Sequence, residues 1–378
     1  MLNSISIHNF NCFVDFKLDL PRRLSLIGSN GSGKTSLWEA LAALQDMVVR
    51  GVEAKVAFPT RSLTRWRRDD PLQRFAIELT HGADTYRYEL EIIHDTRRRS
   101  PSIQREQLTA GGNALYEAVD GEVRLYGDDP RPEPRTQFPF NRKRSFLPDL
   151  EARPDNKRVI AFRDALASIW LLAPAAQQMA PTTADEAPWL DRDGKNFASW
   201  WRGVSLERSG MSHRLLEALK PALPGLQDVG FEPISREVRE LMLTFRAQGQ
   251  EYKLSAGELS DGQRMLLFLH GLLLGALDRA AVAFLDEPEV FLAPHEMQPW
   301  LSAMLAAFDT HDGQALVISH HPAVIDYMAS SGTARFSRPG GGPAQVEEVT
   351  LETTGGTRVS EWISRPWAYE GEHDEAAP

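Results

Sequence analysis

The sequence predicts an α/β fold in which a mostly parallel sheet is split between the two ends of the chain, with an antiparallel β lobe and a helical insertion between the halves. Three observations carry this. Near the N-terminus an apolar strand runs straight into a glycine-rich loop and a periodic helix. In the last third, two further apolar runs alternate with helical stripes. Between these ends, residues 75–126 follow period-two alternation broken by turn residues. The corresponding division is 1–50 with 236–378 as two halves of one core, 51–135 as the β lobe and 136–235 as a mainly helical insertion.

Taken in order, Ser4–His8 and Phe13–Leu18 alternate as strands, and Leu24–Ile27 leads into the loop. Leu37, Leu41, Leu44 and Val48 then recur at helical spacing. Phe75–Thr80 and Thr85–Ile93 flank His81-Gly82-Ala83-Asp84, a hairpin signal, and shorter strands are expected near Ile103–Thr109 and Glu122–Leu125. The Pro/Asp/Arg-rich stretch Asp128–Arg144 has the composition of a loop. Val159, Phe162, Leu166 and Ile169 form a helical stripe, residues 174–210 follow no period, and Arg214–Lys220 is a short helix stopped by Pro221 and Pro224. Leu266–Leu274 is apolar nearly all round, the mark of a buried helix. Ala281–Leu285 and Ala315–Ile318 are expected as central parallel strands, with the stripe Met297, Leu301, Met304, Phe308 between them.

Composition narrows the class. The 378 residues are 42% hydrophobic and 25% charged, ordinary for a globular protein. No apolar run approaches the roughly 18–20 residues a membrane span needs. One cysteine, Cys12, forms no internal disulfide, so a cytoplasmic location without membrane attachment is the expectation. The net charge of −10 argues against a globally basic nucleic-acid binder. Residues 51–160 hold 20 Lys/Arg against 18 Asp/Glu, which leaves 22 and 34 for the rest. The acidic end, Glu370–Ala377, reads as a solvated tail.

Gly28-Ser29-Asn30-Gly31-Ser32-Gly33-Lys34-Thr35 fits the pattern G-x-x-x-x-G-K-[ST] between a strand and a helix. Glycines let backbone N–H groups turn inward around phosphate oxygens, and the helix start adds partial positive charge. The expected nucleotide contacts are Asn30, Gly31, Ser32, Gly33, Lys34, Thr35 and Ser36, with Lys34 bridging the β- and γ-phosphates of ATP and Thr35 holding Mg²⁺.

Asp286 ends the strand after Ala-Val-Ala-Phe-Leu, where it is placed to hold the metal's water shell. Glu287 beside it is the candidate general base. Glu289 reads as structural. Leu259-Ser260-Asp261-Gly262-Gln263 precedes the buried helix, with Ser260 as N-cap and Ser260 and Gly262 as anion donors; a plain helix cap is the alternative. His320 closes the second strand within reach of a γ-phosphate and is preferred to its neighbour His321.

GSNGSGKT, LSDGQ, DEPE and SHHP in this order, with the opening Ile7-His8-Asn9-Phe10, resemble the ATP-binding-cassette superfamily, within it the RecF/SMC-like and OLD-like ATPases. The resemblance spans nearly the whole chain, including Asp193-Gly194-Lys195-Asn196-Phe197. It implies a P-loop NTPase fold of the ABC-ATPase type, hydrolysis of ATP with Mg²⁺, and two copies sandwiching two nucleotides. Carried over, Lys34 and Thr35 grip phosphate and metal, Asp286 holds the metal and Glu287 is the base. Ser260 and Gly262 cap the γ-phosphate in trans, and His320 senses it. Relatives often read EPENGLHP where this chain reads Glu287-Pro288-Glu289-Val290-Phe291-Leu292-Ala293-Pro294, so the Asn, Gly and His are absent. The relatives' glutamine loop has only candidates here: Gln73, Gln104 and Gln107.

Two functional readings follow. In one, an ATP-dependent homodimer, or higher even oligomer, is a switch that controls a separate effector, as in compact bacterial anti-phage systems. In the other, the dimer clamps nucleic acid, as repair-type relatives do. Arg65/Arg67/Arg68, Arg97–Arg99 and Arg142–Arg144 would then meet phosphates, with Trp66 stacking on a base. The competing reading of these arginines is a solvated face paired with local acids. The 58 residues after His320 are too few for the nuclease domain of OLD-like relatives, so cleavage of nucleic acid is not expected.

Overall fold

The computed structural model describes residues 1–67, 69–95, 97, 100–329, 332–350 and 352–364. Arg68, Arg98, Arg99 and the acidic tail at 370–377 lie outside the described residues. The chain divides into two compact units, Met1–Ile169 with Met328–Pro378, and Trp170–Tyr327.

The first unit is built on an eight-stranded sheet. Its strand order is Phe13–Asp19, Leu2–Phe10, Leu72–His81, Asp84–Asp95, Ser100–Ala110, Asn113–Val119, Glu122–Leu125 and Thr136–Pro139. Every pairing in it is antiparallel. Alternation drives it: Phe75, Ile77 and Leu79 on one strand and Tyr86, Tyr88, Leu90 and Ile92 on the next are buried, with polar residues between them. The last strand falls inside the stretch whose composition reads as a loop. Its apolar signal sits in Phe138 and Phe140, interrupted by Pro139, and both rings pack edge-on against Phe146 at 5.0 and 5.1 Å. Glu106, fully buried, accepts hydrogen bonds from Tyr88, Tyr116 and Ser145 at 2.6–2.8 Å and ties that segment to the sheet. Burial pushes its carboxyl above the usual range.

The same unit holds a second layer. Strand Arg23–Gly28, buried from Leu24 onward, pairs in parallel with Thr333–Ser337, which pairs antiparallel with Gln345–Glu348. Helix Lys34–Arg50 follows the loop and ends at Gly51, whose φ of 70° is the left-handed cap that glycine accepts without strain. Its buried Gln45 donates to the carbonyls of Leu166 and Ile169, at the end of helix Lys157–Ala167.

In the second unit, Val282–Asp286 and Gln314–Ile318 pair in parallel over their full length. Helix Asp261–Leu272 is buried from Met265 to Leu272 and runs on into a π turn, Leu273–Leu277. The aromatic helix Phe197–Glu207, in the stretch without a period, explains the glycines it meets. A Cβ at Gly271 would lie 2.5 Å from the Phe197 ring, and one at Gly275 would lie 2.5 Å from Trp200. Asp193–Phe197 has a structural reason too. Gly194 adopts φ 77° against Phe268, and the Asn196 side chain holds the backbone of Asp191 and Trp189. An antiparallel meander, Leu226–Pro233, Arg239–Ala247 and Gln250–Ser255, completes the unit.

Two buried histidines give the fold an acid limit. His94 and His270 are pushed down to about 4 by burial, so both are neutral in the folded chain. Unfolded, each returns to ~6.5. Their contribution is therefore complete above ~6.5 and is lost as pH falls toward 4, about 2 kcal/mol for each by pH 5. Melting midpoints should fall between pH 6.5 and 5, and His94→Gln with His270→Leu should flatten that slope. An unchanged slope would show that neither imidazole is neutral in the fold.

Candidate active site

In the first unit the phosphate-type loop is shaped by three left-handed glycines: Gly28 at φ 143°, Gly31 at 75° and Gly33 at 114°. Two of them have no room for a side chain. A Cβ at Gly28 would lie 2.2 Å from the Phe336 carbonyl oxygen, and one at Gly33 would lie 2.8 Å from the Cys12 sulfur. Cys12 is thus a packing residue, its thiol pushed up by burial. Lys34 is 5% exposed, and its ammonium donates to the carbonyls of Gly28 (2.8 Å) and Ser29 (3.0 Å). Asn30, Gly31 and Thr35 face solvent, Ser36 is half-buried and Ser32 is buried.

Arg338 is a residue that motif reading passes over. Its guanidinium donates to Gly31 O (3.2 Å), Gly341 O (2.9 Å) and Gly342 O (2.8 Å), bracing the loop across 307 residues of sequence. It also lies 5.1 Å from the ring centre of Trp66, so one face of that indole is occupied by a cation. The segment carrying Trp66 is held by the opening motif: Asn9, fully buried at φ 60°, bonds Thr64 N and the carbonyls of Asp70 and Leu72. Gln73 is buried and bonds Asn9 O, Ser62 and His94, while Gln104 and Gln107 lie on the strand Ser100–Ala110. Arg67 pairs with Asp15, Arg142 with Asp120, and Arg144 with both oxygens of Asp149.

In the second unit, Asp286 ends its buried strand, and Glu287 turns out of it at φ 49° with its N–H on Ile318 O. Strain of this kind gathers at functional positions. Glu287 Oε1 lies 3.4 Å from His320 Nε2, both side chains being 40–45% exposed. His321 instead begins helix Pro322–Ala329: its Nδ1 accepts from Ala323 N, and its carbonyl accepts from Val324 and Ile325. Glu289 is buried, its carboxyl raised by burial, and bonds Ser319 and the N–H of His320.

Ser260 is exposed and forms a complete capping box with Gln263. Asp261 accepts from Gln177 at 2.9 Å. Gly262 is required by its own chain, since a Cβ there would lie 2.8 Å from the Phe291 carbonyl oxygen. Phe291 stands where relatives carry glycine. It keeps a left-handed backbone, φ 74°, and is 52% exposed.

A family model described as "AAA domain, putative AbiEii toxin, Type IV TA system" matches residues 24–326. The chain belongs to this AAA family. Among solved structures, the SmcHead bound to the C-winged helix domain of ScpA matches with a TM-score of 0.57 and 13% identity, covering 93% of this chain and 98% of that one. The Smc head domain with an extended coiled coil, bound to the C-terminal domain of ScpA and derived from Pyrococcus furiosus, gives 0.55 and 12%, covering 96% and 99%. Comparison with curated proteins gives no match. At such identities the likeness establishes the fold, which is that of an ABC-type P-loop NTPase of the SMC/RecF kind. This AAA-family protein has the ABC-type ATPase fold that SMC heads also have.

The residues present fit the nucleotide and metal that the AAA family implies. The left-handed glycines give the loop the backbone turns by which N–H groups can face a phosphate, and its lysine is already drawn inward. Among the described residues no group of three or more His, Cys, Asp or Glu side chains forms a metal cage. The Asp286 carboxylate at its strand end is a hard oxygen donor of the kind Mg²⁺ takes, one or two protein oxygens being completed by phosphates and water. No helix among the described residues is long and apolar enough to cross a membrane.

Proposed function

We propose that this AAA protein is a Mg²⁺-dependent ATP hydrolase whose nucleotide pairs two copies into a switch controlling a separate effector in bacterial anti-phage defence. The observation that carries the hydrolytic reading is Glu287 standing 3.4 Å from His320 at the C-terminal ends of two adjacent parallel strands. The toxin–antitoxin description of the family supports the defence role. In this reading 1–50 and 236–378 are the two halves of one ATP-binding core, with 51–135 and 136–235 inserted.

Thr35 and Asp286 would hold Mg²⁺, which supplies charge neutralisation at the phosphates. The loop amides from Asn30 to Ser36 and the Lys34 ammonium orient the triphosphate. Glu287 accepts the proton of the attacking water as its oxygen bonds to the γ-phosphorus and the bond to ADP breaks. His320 steadies the γ-phosphate oxygens from the neighbouring strand end.

Ser260 and Gly262 present an exposed helix start, a site for the γ-phosphate of a facing copy. Two-fold symmetry doubles that contact. Because ATP binds the pair better than the single chain, association gains about 2.7 kcal/mol when ATP is about 100-fold above its Kd. Light scattering tests this. Glu287→Gln should double in mass with ATP and not with ADP, and adding Ser260→Arg should restore the monomer while ATP stays bound. A mass indifferent to nucleotide, or a dimer untouched by Ser260→Arg, contradicts the switch.

A further inference from the structure

Glu289 is a carboxyl group in an unusual place. It is 7% exposed, its Oε1 accepts from both Ser319 Oγ (2.5 Å) and His320 N (3.2 Å), and its equally inaccessible Oε2 has no hydrogen-bond partner among the described residues. Burying a carboxyl that is only half engaged is unfavourable, and an apolar side chain would fill the volume more cheaply. The connections that Oε1 makes explain its presence. Val290 N bonds Glu287 O at 3.3 Å, so Glu287 and Glu289 sit on one tight turn. Ser319 and His320 form the facing turn, and the Ser319 hydroxyl, besides donating to Glu289, accepts from His321 N at 3.0 Å. One carboxyl oxygen therefore clamps the turn carrying Glu287 to the turn carrying His320.

We propose that Glu289 is a positioning residue of the hydrolytic site, which holds the His320 turn so that the imidazole stays against Glu287. The proposal rests on the hydrolase reading above for its consequence in turnover, but not for its geometry. Glu289 acts through its hydrogen bonds to Ser319 and to the backbone of His320. The amide oxygen of Glu289→Gln can accept the same two hydrogen bonds, whereas Glu289→Ala can accept neither.

The test compares full-length parent, Glu289→Gln, Glu289→Ala, Ser319→Ala, His320→Ala and the Glu289→Ala/His320→Ala double variant. Glu289→Ala should lower kcat on the order of 10-fold with KM for ATP nearly unchanged, while Glu289→Gln keeps most of the parent rate. In the His320→Ala background, Glu289→Ala should cost almost nothing further. Imidazole resonances of His320 in ¹⁵N-labelled protein give a readout independent of hydrolysis: they should shift in Glu289→Ala and stay near parent in Glu289→Gln. If Glu289→Ala does not fold, Ser319→Ala, which removes one of the two hydrogen bonds, should show the same changes at smaller size. Parental kcat and parental His320 resonances in the folded alanine variants overturn the proposal, as does a Glu289→Ala loss that adds in full to that of His320→Ala. A parent without turnover sinks the hydrolase reading instead, and the imidazole signals still decide the role of Glu289.

Discussion

Glu287→Gln should lower ATP turnover by ~10²–10⁴ and leave ATP binding close to that of the parent. The amide keeps the volume and one acceptor oxygen of the carboxylate, but it has no affinity for the proton that the attacking water must give up. Glu287 is well placed for this work. It follows a buried strand and is held out of the strand line at φ 49°, with its N–H bonded to the adjacent strand and His320 3.4 Å from its side chain. Steady-state phosphate release and equilibrium ATP titration on the same preparation separate the two effects. Equal turnover in variant and parent removes Glu287 as the base.

Lys34→Ala should weaken ATP binding by about 10²-fold, through the loss of charge-assisted hydrogen bonds worth ~1.5–3 kcal/mol each. The lysine side chain is 5% exposed, and its ammonium lies inside the loop on the carbonyls of Gly28 and Ser29. A cation so enclosed is poorly screened by water, which raises its value to a triphosphate. Because Lys34 would span the β- and γ-phosphates, ATP affinity should fall further than ADP affinity. Calorimetric titration of both nucleotides checks this, and unchanged ATP affinity would refute the reading of the loop.

The parts legible in the sequence are those where local pattern and global fold agree. Leu24–Ile27 flows into a glycine loop and then into a 3.6-residue stripe, and each level predicts the next. Ala281–Leu285 and Ala315–Ile318 announce buried strands because both faces are covered. Helix Phe197–Glu207 escapes such reading because its buried face is made of Phe197, Ala198, Trp200 and Trp201, large rings packed on distant glycines without a repeating stripe. Strand Gln250–Ser255 carries almost no apolar signal: only Ser255 is buried, and the strand forms by pairing with Arg239–Ala247. Arg338 shows the same limit at the site. Nothing near it in sequence points to Gly31, and only the parallel pairing of Thr333–Ser337 with Arg23–Gly28 brings the two together. Glu289 reads as structural in the motif DEPE, and burial explains why; its tie to His320 becomes visible only when the two strand ends lie side by side.

The most direct test of the central claim, Mg²⁺-dependent ATP hydrolysis by this chain's own loop and carboxylates, is phosphate release measured on parent protein with Mg²⁺ and with excess chelator. Lys34→Ala purified in parallel serves as the blank for contaminating ATPases. Slow release by the parent with Mg²⁺ is expected, falling to the level of Lys34→Ala once the metal is removed. Release that survives chelation, or that Lys34→Ala matches with Mg²⁺ present, would contradict that claim.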